Sequence, residues 1–119
     1  LDLEMEFEML TGRQFEMERK LDLGKGDYVK LSGIVKDMSA GGIKVQLKEL
    51  PSDGIKREDV FIFHLPYASL HKKLAVSVLD LVSHEGLTDV HCEFLDVDML
   101  TRMKINQYLD RRKLSMEAA

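Results

Sequence analysis

Apolar and acidic side chains alternate through the first nine residues, with Leu1, Leu3, Met5, Phe7 and Met9 in one set and Asp2, Glu4, Glu6 and Glu8 in the other. A period of two is that of a strand with one buried face. The run from Phe15 through Met17 and Arg19 to Leu21 and Leu23 alternates in the same way, and Thr11-Gly12 reads as the turn between the two runs. Gly24-Lys25-Gly26-Asp27 predicts the next turn and leads into a strand over 28–36. Ile43, Val45 and Leu47 form another inward face, and Pro51-Ser52-Asp53-Gly54 is a loop. Further strands are predicted over 60–65, 74–82 and 90–95, at spacings typical of a barrel. From Met99 to about Leu114 the residues are good helix formers. Asp98 is placed as the N-cap, Ile105 and Leu109 share a face, and Arg111, Arg112 and Lys113 suit the negative end of the helix dipole. The pattern predicts one mainly β domain over 1–119. Six or seven antiparallel strands form a barrel across about 1–97, and a C-terminal α-helix over about 99–114 closes it. That helix reads as a lid on one mouth of the barrel, with a partner-binding or dimer-forming surface as the alternative.

The junction Asp37-Met38-Ser39-Ala40-Gly41-Gly42 falls between two of these strands and concentrates the candidate chemistry. An ionised Asp is acceptor-only, so its two oxygens match the paired N1–H and N2–H donors of a guanine edge. The Ser39 hydroxyl can donate to a phosphate or a base. Gly41 and Gly42 let the backbone approach a ligand with no Cβ in the way, and tolerate positive φ. The same residues also fit a plain turn in which Asp37 and Ser39 cap their own backbone.

The surrounding GIVKDMSAGGIKV resembles the PilZ domain family of small bacterial barrels, whose D-x-S-x-x-G motif maps onto Asp37, Ser39 and Gly42. Phe61-Ile62-Phe63-His64-Leu65-Pro66 resembles that family's strand ending in Leu-Pro, and Cys92-Glu93-Phe94-Leu95-Asp96 the strand before its closing helix. Arg102-Met103-Lys104-Ile105 with Tyr108-Leu109 resembles the helix itself. The resemblance spans roughly residues 28 to 112. It implies a receptor for cyclic diguanylate (cyclic di-GMP), with Asp37, Ser39, Gly41 and Gly42 at the ligand and no other cofactor. It also implies that binding is passed to a protein partner or a neighbouring domain, in control of motility, exopolysaccharide or virulence. One departure bears on this: the family's R-x-x-x-R motif, whose arginines grip phosphates and guanine edges by paired charge-assisted bonds, does not occur in the chain. Leu1 to Phe7 begins without Met and reads as a strand in mid-course, so a trimmed start with the arginines upstream is expected. A second placement puts Arg13 at the second arginine position and Met9 at the first, giving a degenerate weak binder. In a third the pair never existed and the domain is a protein-interaction module.

Charge and composition narrow the classes. A net charge of −4 and a pI near 5.5 exclude a general nucleic-acid binder but allow a local basic cluster. With no Trp and 7% aromatics, the interleaved basic and aromatic face of a single-strand binder is not visible either. The single cysteine, Cys92, shares a strand face with Val90 and Phe94 and reads as core. No apolar run reaches the roughly 20 residues of a membrane span and no signal peptide is visible, which makes the cytoplasm the default location. His64, His71, His84 and His91 have no metal-ligand spacing. His71-Lys72-Lys73 is a solvated turn that meets phosphate only if the fold brings it near Asp37. No nucleophile–base pair or phosphate loop is present, so an enzyme is not expected.

Overall fold

The computed structural model describes residues 2–13, 29–39, 41–64 and 73–117, with side chains through 111 in the last stretch. Its elements are β1 (Leu3–Leu10), β2 (Val29–Met38), β3 (Gly42–Leu47), β4 (Val60–Phe63), β5 (Leu74–His84), β6 (Leu87–Phe94) and the helix α1 (Met99–Glu117). The strands close into one antiparallel barrel in the order β1-β2-β3-β6-β5-β4. Closure comes from β1 meeting β4 over Glu8↔Ile62, Met9↔Phe61 and Leu10↔Val60. The strand expected over 15–23 and the turn after it lie outside the described residues. Gly12 is not the centre of a turn: Gly12 and Arg13 take helical geometry. A Cβ at Gly12 would stand 2.8 Å from the Glu58 carbonyl oxygen, so that close crossing requires a glycine.

Alternation along each strand fills the interior. Phe7 and Met9 from β1, Leu31, Val35 and Met38 from β2, and Ile43, Val45 and Leu47 from β3 meet Phe61, Phe63, Leu74, Val76, Val78, Val90 and Cys92 in one cluster. Phe7 lies 5.7 Å from Phe61 and 5.5 Å from Phe63, ring to ring, separations at which tilted and edge-on aromatic contacts are favourable. Gly33 also faces inward, and a Cβ there would come within 2.6 Å of Leu47 Cδ2. Burial raises the Cys92 thiol to a pKa of about 12, consistent with a packing role.

One hairpin is longer than the alternation predicts. β5 runs on to His84 and pairs back at His84↔Leu87, leaving Glu85-Gly86 as a two-residue loop. Glu85 has φ 49° and Gly86 φ 79°, the paired positive values of a type I′ turn. Glutamate has no side-chain bond that favours this region, whereas Asn tolerates it. Glu85→Asn is therefore expected to raise stability by about 0.5–1 kcal/mol. The check is the urea midpoint at unchanged slope; a lower midpoint would refute the strain assigned to Glu85.

The helix begins as predicted. Asp98 Oδ1 accepts the Thr101 N–H at 2.7 Å, an N-cap bond, and the Asp98 carbonyl accepts the Arg102 N–H at 3.1 Å. Ile105 is fully buried and Tyr108 nearly so, both within the barrel's own core cluster, with Leu109 packed against it. Met99, Leu100 and Met103 stay exposed.

Candidate functional site

The β2–β3 junction owes its geometry to a bulge. Val35 pairs with Val45 in regular register, but the next pair is Asp37 with Lys44, so Lys36 is an extra residue. Without it Lys36 would face Lys44, and Asp37 would point into the barrel, because a one-residue slip moves every side chain to the other face. The bulge instead turns Asp37 out to solvent and leaves Met38 buried against Ile43. Lys36 is held by Asp2 across β1, Nζ to Oδ1 at 2.6 Å, and that contact holds the Asp2 carboxyl below its ordinary range.

The turn is then pinned from three directions. The Ser39 N–H donates to the Gly42 carbonyl at 2.9 Å, and the Phe94 N–H donates to the Gly41 carbonyl at 2.9 Å, tying the turn to the end of β6. Gly42 lies so close to β6 that a Cβ would sit 2.0 Å from the Cys92 carbonyl oxygen. At Gly41 the same atom would meet only Ser39 Oγ, at 3.7 Å. The polar side chains bond locally: Asp37 Oδ1 accepts the Met38 N–H at 2.9 Å, and Ser39 Oγ accepts the Gly41 N–H at 3.2 Å. These bonds orient both groups and leave capacity. The second carboxylate oxygen of Asp37 has no partner among the described residues, and the Ser39 hydroxyl, used as an acceptor, keeps its proton to donate.

Asp37, Ser39, Gly41 and Gly42 thus come together at one mouth of the barrel, beside the start of β1, where Leu3 pairs with Val35. Arg13 does not join them. It follows the end of β1, where Leu10 pairs with Val60, whereas the corner lies beside the start of that strand. Lys73 is also elsewhere, 3.5 Å from Glu8 on the β1–β4 side, and His71 and Lys72 lie outside the described residues. Two concavities of about 720 and 600 Å³ flank the outer wall of β1, and neither includes the motif. His84 pairs with Asp89 at 2.9 Å, and this bond, with a second from Gln46, holds the Asp89 carboxyl below its ordinary range. What sequence reading missed is the pair next to Asp37: Lys44 opposite it and His91 opposite Lys44. Forty-seven residues separate those two, so only the strand register reveals them.

A closed six-stranded antiparallel barrel with a pinned Asp-Ser-Gly corner at one mouth and a docked C-terminal helix defines a small β-barrel domain that offers a surface site. The family model described as the PilZ domain matches residues 11–111. The chain belongs to the PilZ domain family, and the match takes in β2 to β6 and most of α1, with β1 ahead of it. No curated protein and no solved structure matches the chain significantly. Among the described residues no helix is long and apolar enough to cross a membrane.

Proposed function

We propose that this domain is a receptor that binds cyclic di-GMP at the β2–β3 corner and passes the event to a partner surface or a neighbouring domain. The observation that carries the reading is the bulge at Lys36, which turns the Asp37 carboxylate outward on a rigid turn with one oxygen unpartnered among the described residues. Asp37 accepts the N1–H and N2–H of a guanine, Ser39 donates its hydroxyl proton, and the bare Gly41 edge permits close approach. Membership in a family of nucleotide-binding receptor domains, rather than of enzymes, agrees with this.

Isothermal titration of cyclic di-GMP into the protein tests the reading. Asp37→Ala is expected to reduce affinity at least a hundredfold, since two charge-assisted bonds are worth roughly 1.5–3 kcal/mol each. Equal affinity in both proteins would remove Asp37 from the site. A second reading, a protein-interaction module, is favoured by the local bonds of Asp37 and Ser39, which suffice for turn capping. It predicts no heat with the nucleotide, and that Asp37→Ala costs about 1 kcal/mol of stability.

A further inference from the structure

Four outward residues line up across the barrel wall beside the turn. Asp37 pairs with Lys44, Lys44 with His91, and His91 with Asp80, so β2, β3, β6 and β5 each place one residue in a single row. Neighbouring strands stand ~4.8 Å apart, which sets Lys44 one strand and His91 two strands, about 10 Å, from Asp37. The two ends of the row are acidic and its middle is basic. Asp80 has a partner, with an Arg57 guanidinium nitrogen at 3.9 Å. Asp37 is turned onto the Met38 N–H. Lys44 differs from both: it is half-buried, and no carboxylate of the described residues stands within ion-pair distance of its ammonium, which acts on the nearby Asp89 carboxylate only through space. A lysine with a covered stem and no ion-pair contact keeps its three donors for an anion. His91 is exposed directly beside it.

We propose that Lys44 and His91 form the anion-binding half of the site, contacting a phosphate of the dinucleotide whose guanine edge Asp37 takes. The proposal rests on the receptor reading above and goes beyond it by assigning the phosphate to residues outside the Asp-Ser-Gly corner. A guanine's pairing edge and its phosphate lie at opposite ends of a nucleotide, so a receptor must hold its carboxylate apart from its cations. The register of the wall provides that separation, and the bulge that turns Asp37 outward also puts it in line with Lys44. Phosphate oxygens accept only, which suits the three donors of an ammonium and a ring N–H of imidazole. An acidic chain loses nothing by this, because the cations that matter are local.

The test titrates cyclic di-GMP into the full-length protein and into Lys44→Met, Lys44→Arg, His91→Asn, Asp37→Ala and Lys48→Met. Lys48 is an exposed lysine just past the far end of β3 and serves as the control. Lys44→Met is expected to weaken binding roughly tenfold, the scale of one charge-assisted bond, and His91→Asn severalfold. Lys44→Arg should restore affinity and Lys48→Met should leave it unchanged. Added salt should narrow the gap between wild type and Lys44→Met, since exposed charges are screened. Thermal melts of each variant check that the barrel is intact. If wild type binds and Asp37→Ala does not, while Lys44→Met and His91→Asn both bind like wild type, the phosphate assignment is overturned and the receptor reading stands. No heat with wild type overturns both.

Discussion

Gly42→Ala is expected to destabilise the domain by about 3 kcal/mol or more, at the upper end of what overpacking a closed interior costs. The added methyl has no rotamer to escape into. Its position is fixed by the backbone and falls 2.0 Å from the Cys92 carbonyl oxygen, with the Cys92 carbonyl carbon and Glu93 Cα both 3.1 Å away. All three are backbone atoms of β6, so relief requires β3 to move away from β6. That movement strains the Gly42↔Glu93 and Ile43↔Cys92 pairs and the bond from the Phe94 N–H to the Gly41 carbonyl. Gly41→Ala, one residue earlier, is expected within about 0.5 kcal/mol of wild type, because its methyl meets only Ser39 Oγ at van der Waals distance. Chemical denaturation of the two variants measures the difference, and a Gly42→Ala protein as stable as Gly41→Ala would refute the close β3–β6 approach. The last glycine of the motif therefore serves the barrel before it serves any ligand. Loss of nucleotide binding in a Gly42 variant has to be read against its stability.

What could be read from the chain follows the range of the interactions involved. Alternation is local, so most of the strands, the inward set Ile43-Val45-Leu47 and the N-cap Asp98 were visible residue by residue. The corner at Asp37 was visible because carboxylate, hydroxyl and glycines are neighbours in sequence. Its purpose for Gly42 was not: the group that excludes a Cβ is Cys92, fifty positions away. The bulge at Lys36 also left no local mark, since a strand with one extra residue still alternates on each side of it, and only the partner strand shows the slip. The Glu85-Gly86 turn was passed over because Glu is not among the residues that announce positive φ.

Ile105→Ala is expected to cost about 3–4 kcal/mol, within the range for truncating a fully buried aliphatic side chain to Ala. Ile105 has no exposed surface and sits with Tyr108 in the same cluster as the strand residues, so its loss opens a cavity where α1 meets the barrel. The helix has little to offset that loss. Tyr108 buries a hydroxyl with no hydrogen-bond partner among the described residues, and Met99, Leu100 and Met103 face solvent. An unpaired buried hydroxyl costs about 1–3 kcal/mol, so Tyr108→Phe should be neutral or stabilising. Met103→Ala, at a half-exposed position, should change stability by less than about 0.5 kcal/mol. Urea unfolding followed by far-UV dichroism compares the three, and an Ile105→Ala midpoint equal to that of Met103→Ala would show that α1 is not docked through this face. The docking bears on the site as well as on stability. α1 follows β6 after a four-residue link, and the last residue of β6, Phe94, is the donor that holds Gly41. A helix loosened at Ile105 therefore frees the end of the strand that fixes the Asp37 corner. Nucleotide affinity is expected to fall in Ile105→Ala even under conditions where the barrel remains folded.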